Sequence, residues 1–254
     1  MEALSGEPVI EHGTPEKSWE RSPFLDSIPV ASLDTLIEDC RRVVVVSPHP
    51  DDETLGCGGL LSLCAARGIP VAIVSLSDGE ACYPDNHAWP AARIREARRC
   101  ELEHALLALG IDDPAPIRLE IPDGHVAAHE ALLGQWLLHY LRESDAVFVP
   151  WRRDGHPDHE AASRASLHAV ERIGARLFEF PIWGWHWAPA DGGVFDGLEI
   201  SRLELDAVTR DAKHAAIACF TSQVTTTDPT LPAPILPAHV LQRFARNFEV
   251  FIHG

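Results

Sequence analysis

The sequence predicts one α/β domain, built as a Rossmann-like, doubly wound and mostly parallel sheet flanked by helices. Strand-like apolar runs alternate with helical periodicities along most of the 254 residues, which is typical of strands joined by helical crossovers. Residues 43–46 are four consecutive valines, as expected of a strand buried on both faces of a parallel sheet. The chain has no internal repeat and no linker that would divide it, and its length suffices for one large core without disulfides.

The remaining elements are predicted in chain order. A helix over 55–67 ends at Gly68 and an amphipathic helix over 90–109 ends at Gly110, since glycine commonly stops helices. The other predicted strands are 71–76, 117–119, 146–149, 176–180 and 249–252, and the other predicted helices are 130–142, 159–172 and 205–220. Residues 1–22 are expected to form a flexible N-terminal arm, so the folded domain is predicted over 23–254.

Composition and charge exclude several classes of function. The chain carries 38 acidic and 21 basic residues, a formal net charge of -17, and no basic cluster of the kind that nucleic acid binding needs. No apolar run approaches the ~20 residues of a membrane span, and the N-terminus lacks the apolar stretch of a signal peptide. The six cysteines form no CxxC pair, which favours reduced thiols and a cytoplasmic location.

Two short segments carry imidazoles and carboxylates, and each comes directly after a predicted strand. Pro-His-Pro-Asp-Asp-Glu spans 48–53, after the valine strand, and Asp-Gly-His-Pro-Asp-His spans 154–159, after the strand at 146–149. In open α/β sheets the functional crevice lies beyond the carboxyl ends of the strands. The two segments are therefore expected to face each other there.

The spacing within these segments favours a metal site. His49 and Asp52 are three residues apart across a turn and can point at one centre, and His159 can add a third ligand from the facing loop. Two histidines and one carboxylate are a common set for a catalytic divalent metal that keeps a position open for water. Asp51 can take a proton from that water, and His156 can donate a proton or stabilise an oxyanion. For either segment alone, a turn with a helix-capping aspartate is an equally good interpretation.

The glycine-rich stretch 56–59 mimics part of a dinucleotide-binding fingerprint, with Asp78 about twenty residues further on. The spacing is not GxGxxG, and the glycines follow the His-Pro-Asp-Asp turn rather than the strand itself. Close packing of a helix against the sheet is the preferred interpretation, and nucleotide binding is the alternative.

In its two motifs the chain resembles the LmbE-like, or PIG-L, family of metal-dependent de-N-acetylases. Weaker family-like signatures lie at 77–80, 98–102, 121–124, 179–183 and 213–223, so that the resemblance covers about 40–252. It implies a hydrolase that removes an N-acetyl or other N-acyl group from a small amino sugar or its conjugate. The implied cofactor is zinc, with ferrous iron or another divalent metal as the alternative, and a homo-oligomer is one expected state.

The resemblance also assigns roles to individual residues. The implied metal ligands are His49, Asp52 and His159. Asp51 is the implied general base. His156 is implied to stabilise the tetrahedral intermediate and to protonate the leaving amine, in a protonated form that Asp158 favours. Arg98 and Asp123 fall where family members contact the sugar.

Other interpretations stay open at this point. A metal-dependent amidase acting on a non-sugar amide, a metallophosphoesterase with a second metal, and a non-catalytic α/β binding module are the competing functions. Trp183, Trp185 and Trp187 alternate, so an extended segment would place them on one face, where packing is favoured over stacking on a sugar. The proline-rich residues 225–237 are expected to form an ordered loop or lid.

Overall fold

An eight-stranded sheet forms the centre of the structure, a computed structural model that describes residues 13–224, 228–231 and 233–254. The strands are β1 (Val30–Ala31), β2 (Arg42–Ser47), β3 (Val71–Ser75), β4 (Ile117–Arg118), β5 (Asp145–Pro150), β6 (Arg176–Phe180), β7 (Ile200–Glu204) and β8 (Phe248–His253). Their order in the sheet is β1-β7-β8-β6-β5-β2-β3-β4. β8 runs antiparallel to β6 and β7, and the other neighbours pair in parallel.

Helices cover both faces of this sheet. They are α1 (Glu16–Glu20), α2 (Pro23–Ser27), α3 (Leu33–Leu36), α4 (Asp52–Ala66), α5 (Ala91–Ala108), α6 (Val126–Tyr140), α7 (Pro157–Ile173), α8 (Gly184–Trp187), α9 (Ala207–Ala218), α10 (Thr221–Val224) and α11 (Ala238–Leu241), with single 3-10 turns at Gly193–Phe195 and Gln242–Phe244. The predicted α/β fold with a mostly parallel sheet is thus confirmed.

The valine strand β2 shows why the sheet needs helices on both sides. Val43 and Val45 belong to one apolar core, Val44 and Val46 belong to the core on the opposite face, and all four are fully buried. From β2 the chain builds outward through β3 to β4, then returns to β5 on the other side of β2. The order of the strands therefore reverses between β2 and β5, which is where a doubly wound sheet opens its crevice.

The glycine-rich stretch lies inside α4, where it allows other elements to approach closely. A Cβ atom on Gly56 would lie 2.1 Å from Phe180 Cδ2, and one on Gly59 would lie 2.4 Å from Leu205 Cδ2. The carboxylate of Glu249 accepts the Gly59 N–H and is also paired with the buried Lys213, 2.6 Å away in each case. The structure confirms close packing as the role of these glycines.

Two strands at one edge of the sheet were not predicted. β7 alternates between buried and exposed positions and includes Arg202 and Glu204, so it lacks a continuous apolar run. β1 has only two residues. The predicted helix 130–142 begins earlier, at Val126, whose N–H donates to the Asp158 carboxylate 3.0 Å away.

The predicted N-terminal arm differs from the structure in its second half. Residues 1–12 lie outside the described residues, whereas residues 13–22 pack against the domain. Trp19 is fully buried and its Nε1–H donates to the Trp185 carbonyl, and Glu16 forms an ion pair with Arg246 at 2.7 Å. The packed part of the chain therefore includes residues before 23, because an aromatic side chain in α1 adds to the core.

The tryptophan-rich segment is a short helix, α8, and the predicted extended conformation was wrong. Trp185 is buried in the core, while Trp183 and Trp187 are 43% and 38% exposed. Of the predicted loop 225–237, residues 225–227 and 232 lie outside the described residues. Among the residues that are described, no helix is both long and apolar enough to cross a lipid bilayer.

Candidate active site

Both sequence motifs meet at the carboxyl ends of β2 and β5, the two strands between which the strand order reverses. The turn after β2 leads straight into α4, and the loop after β5 leads into α7, which Pro157 begins. Each helix starts beside the other's loop, so the motif side chains converge. A cavity of about 160 Å³ opens there.

Three side chains place one nitrogen or oxygen atom each at the corners of a nearly regular triangle. His49 Nδ1 lies 3.2 Å from Asp52 Oδ2 and 3.3 Å from His159 Nε2, and Asp52 Oδ2 lies 3.3 Å from His159 Nε2. Ligand atoms ~2.0–2.1 Å from a tetrahedral zinc ion are roughly 3.3 Å apart. The predicted ligand set therefore fits a tetrahedral divalent metal with one position left open.

His159 is held by a carboxylate that the sequence interpretation missed. Its Nδ1–H donates to Asp154 Oδ2 at 2.7 Å, which leaves Nε2 to face the triangle. The fully buried Asp154 also accepts the backbone N–H groups of residues 182–184, at 2.8–2.9 Å. Partners on the second ring nitrogen commonly orient metal-binding histidines, and Asp154 orients His159 in this way. The same carboxylate also fixes the start of α8.

His49 has carboxylates on its second nitrogen as well. Its Nε2 lies 3.3 Å from Asp123 Oδ1 and 3.4 Å from Asp158 Oδ2, and these three residues form a second cluster with metal-ligand chemistry. Asp158 also accepts the N–H groups of Gly124 and Val126, which fixes its carboxylate beside His49. The Asp158 carboxylate is thus turned toward His49, and the predicted influence of Asp158 on His156 is limited to its charge, which opposes the lowering of the His156 pKa.

The carboxylates shift the pKa values of both imidazoles upward. Burial opposes protonation of His159, but Asp52 and Asp154 outweigh it and raise its pKa to about 9. Burial likewise opposes protonation of His49, and hydrogen bonds to Asp123, Asp158 and Asp52 raise its pKa well above the ordinary value. The cluster therefore favours positive charge at its centre, which is what a bound cation supplies.

Asp51 stands beside the triangle with an unusual backbone. Its φ of 148° is rare for any residue but glycine and costs on the order of 1–3 kcal/mol. Its N–H donates to the buried Glu53, and Gln223 Nε2–H donates to the carbonyl of the preceding Pro50. Asp51 occupies the N-cap position of α4 without making a capping hydrogen bond, so the capping interpretation does not hold for it. Burial, and next the Asp52 charge, raise its pKa well above the ordinary value.

His156 occupies the N-cap position of α7. Its Nδ1 accepts the N–H of Asp158, so in the neutral ring the proton is on Nε2. Burial, followed by the charges of His159 and His49, lowers its pKa to about 4. The lowered pKa favours a neutral imidazole whose Nε2–H can donate, and the protonated form implied by the resemblance stays a prediction.

Arg98 lies in α5 and lines the same cavity, 3% exposed. Its Nε has no hydrogen-bond partner among the described residues, and its guanidinium passes so close to Gly79 that a Cβ there would lie 1.8 Å from it. A buried cation with an unsatisfied donor is suited to contact a polar group of a substrate. Asp123, the other predicted contact residue, lies against His49, and its second oxygen accepts the Ala81 N–H; its contact with a substrate stays a prediction.

The family described as PIG-L, GlcNAc-PI de-N-acetylase, matches residues 44–170, half of the chain and both motifs. The chain belongs to this family. A relative from Mycolicibacterium gilvum (strain PYR-GCK) named 1D-myo-inositol 2-acetamido-2-deoxy-alpha-D-glucopyranoside deacetylase is 29% identical over 230 residues. That alignment covers 80% of this chain and 78% of the relative. Alignments with two other actinobacterial deacetylases, from Saccharopolyspora erythraea and Mycobacterium sp. (strain JLS), cover 61% and 59% of those proteins.

Solved structures share the fold. The N,N'-diacetylchitobiose deacetylase from Pyrococcus horikoshii superimposes with a TM-score of 0.62 at 18% identity, covering 87% of this chain and 86% of that one. GalB, the 4-carboxy-2-hydroxymuconate hydratase from Pseudomonas putida KT2440, gives 0.56 at 21% identity, covering 81% and 82%. At these identities the likeness is one of fold alone, and this PIG-L fold serves more than one kind of reaction.

Proposed function

We propose that this PIG-L protein is a zinc-dependent N-deacetylase that hydrolyses the N-acyl group of an amino sugar or amino-sugar conjugate. The observation that carries the proposal is the triangle of His49 Nδ1, Asp52 Oδ2 and His159 Nε2, with the non-capping Asp51 beside it. The names of the Mycolicibacterium gilvum relative and of a Bacillus cereus relative, a probable N-acetyl-alpha-D-glucosaminyl L-malate deacetylase, support the choice of an acetylated amino sugar.

His49, Asp52 and His159 would hold a divalent metal, which would supply a lowered pKa of bound water and polarisation of the acyl carbonyl. The chain's own residues then divide the remaining work. Asp51, with its raised pKa, removes a proton from the attacking water and carries it to the departing nitrogen. His156 donates its Nε2–H to the carbonyl oxygen as negative charge develops there. The products are a carboxylate and a free amine.

Three further residues support this chemistry in the proposal. Asp123 and Asp158 accept the Nε2–H of His49 and so turn its Nδ1 toward the metal. Arg98 contacts an oxygen of the substrate from within the cavity. A cytoplasmic location is part of the proposal, since all six cysteines are unpaired, and the homo-oligomer stays a prediction.

The test is metal-stripped protein reconstituted with zinc or with ferrous iron and assayed for amine release from N-acetylated sugars and their inositol and malate conjugates. We expect release with zinc, and loss of it in Asp51→Asn while the variant still binds one metal. A metal-loaded wild-type protein that releases no amine from any of these compounds contradicts the proposal. Higher activity with ferrous iron than with zinc would change the identity of the metal in the proposal but not the reaction.

A further inference from the structure

The cavity at the active site has an apolar wall. The methyl of an acetyl group is too small to account for it. Besides Trp183 and Cys82, six apolar side chains line the cavity: Leu55, Ile182, Ile235, Leu236, Val240 and Phe244. Four of the six are buried members of the larger core, and the other two pack against that core. The wall is therefore a continuation of the core surface, held in place by it.

Other polar side chains line the same cavity, and two of them have hydrogen-bonding groups turned elsewhere. Gln223 donates to the Pro50 carbonyl, and the Arg243 guanidinium donates to the Thr14 carbonyl. The buried Nε of Arg98 has no hydrogen-bond partner among the described residues. Water that lies against the apolar side chains themselves finds no hydrogen-bond partner in them, so its displacement by an apolar group is favourable.

The size of the cavity identifies the part of the substrate that fits. A cavity of about 150 Å³ lined by aliphatic and aromatic side chains holds one benzene molecule. The 160 Å³ present here is also lined by the catalytic groups, so the part beside the apolar wall takes at most about six carbon atoms. A whole N-acyl hexosamine is too large for this space, whereas an acyl chain is not. Trp183, which lines the cavity and is 43% exposed, offers the sugar ring a stacking surface at the mouth.

We propose that the apolar wall is an acyl-binding pocket, and that the preferred substrate carries an N-acyl group of four to six carbon atoms. This inference rests on the proposed amide hydrolysis and concerns which side of the amide enters the cavity. An acetyl methyl touches only the part of the wall next to the metal. Each further buried methylene is expected to raise kcat/KM roughly fourfold, hence roughly tenfold or more between N-acetyl and N-butanoyl.

The experiment measures amine release from N-acetyl-, N-butanoyl- and N-hexanoylglucosamine by the zinc-loaded full chain. A rise in kcat/KM from acetyl to butanoyl is expected, and an equal or lower value for butanoyl overturns the inference. Octyl glycosides of N-acetylglucosamine form a second arm. A gain from the octyl group without a gain from butanoyl also overturns it, because the wall would then hold the aglycone.

Val240→Phe tests the wall itself, and Leu241→Phe is the matched control from the same short helix, since Leu241 does not line the cavity. The butanoyl-to-acetyl ratio is taken within one preparation, so partial unfolding cancels. We expect Val240→Phe to lower that ratio at least tenfold and Leu241→Phe to leave it unchanged; an unchanged ratio in Val240→Phe refutes the pocket. If the zinc-loaded wild-type protein released no amine from any of these substrates, the proposed function itself would be wrong.

Discussion

Replacing Asp154 with asparagine tests whether the carboxylate behind His159 prepares the metal site. Each Asp154 oxygen accepts two hydrogen bonds: Oδ2 from His159 Nδ1–H and Trp183 N–H, Oδ1 from Ile182 N–H and Gly184 N–H, all at 2.7–2.9 Å. Asparagine keeps the shape but has one acceptor oxygen. Whichever way its amide turns, the NH2 group faces two donors.

The expected effects follow from those four contacts. Hydrogen bonds to charged groups contribute ~1.5–3 kcal/mol each, so the loss of two lowers the free energy of unfolding of the metal-free protein by about 3–6 kcal/mol. Loss of a partner that orients a metal-binding histidine lowers metal affinity about 10–100-fold. Asp154→Asn should therefore fold less stably and bind zinc more weakly.

The assay is a zinc titration in competition with a chromophoric chelator, beside urea unfolding of the metal-free protein. Asp145→Asn is the matched control, since Asp145 is also buried and accepts hydrogen bonds from Arg42 and Arg142 at the start of β5, whereas Asp154 lies in the loop that follows the end of this strand. It should lose stability and keep its zinc affinity. Wild-type zinc affinity in a folded Asp154→Asn would show that this carboxylate does not prepare the metal site.

Three further predictions concern the base and the packing around α4. Asp51→Asn should lower kcat about 10²–10⁴-fold in steady-state amine release, with zinc still bound by elemental analysis; retained activity contradicts its role as base. Gly56→Ala should lower the free energy of unfolding by about 1–3 kcal/mol in urea, because its Cβ meets the Phe180 ring, and no loss would mean that the ring moves freely. Lys213→Met should lower the free energy of unfolding by ~3–5 kcal/mol in the same assay, because it leaves the buried Glu249 carboxylate without its ion-pair partner. The double variant with Glu249→Gln should recover part of that loss, and a Lys213→Met protein as stable as the wild type argues against a buried ion pair.

Much of the site could be predicted because its chemistry is contiguous in the sequence. His49, Asp51 and Asp52 follow a strand of four valines, and His156 and His159 follow a second strand of the same type. The rule that parallel strands present their carboxyl ends at one edge then brings the two segments together. The burial of the β2 valines on both faces of the sheet could also be predicted, because no polar residue interrupts the run.

The partners of these residues could not be predicted, because they are set by contacts distant in sequence. Asp158 is two residues from His156, yet its carboxylate faces His49, since the loop before α6 supplies the N–H groups that hold it. Asp154 lies five residues before the predicted ligand His159, and this proximity in sequence could have indicated that its carboxylate contacts the histidine. Its contact with residues 182–184 explains the error at α8: three successive N–H groups gathered on one carboxylate start a helical turn where the alternating tryptophans indicated an extended segment.

In the proposed reaction, water that is activated at this site cleaves an amide bond. The most direct measurement is the reaction of the zinc-loaded protein with an N-acylglucosamine in ¹⁸O-labelled water, with amine and carboxylate quantified by mass spectrometry. We expect amine and carboxylate in equal amounts, and one ¹⁸O atom in each carboxylate formed. A product that keeps its acyl group and gains the elements of water, as a hydratase would give, contradicts it.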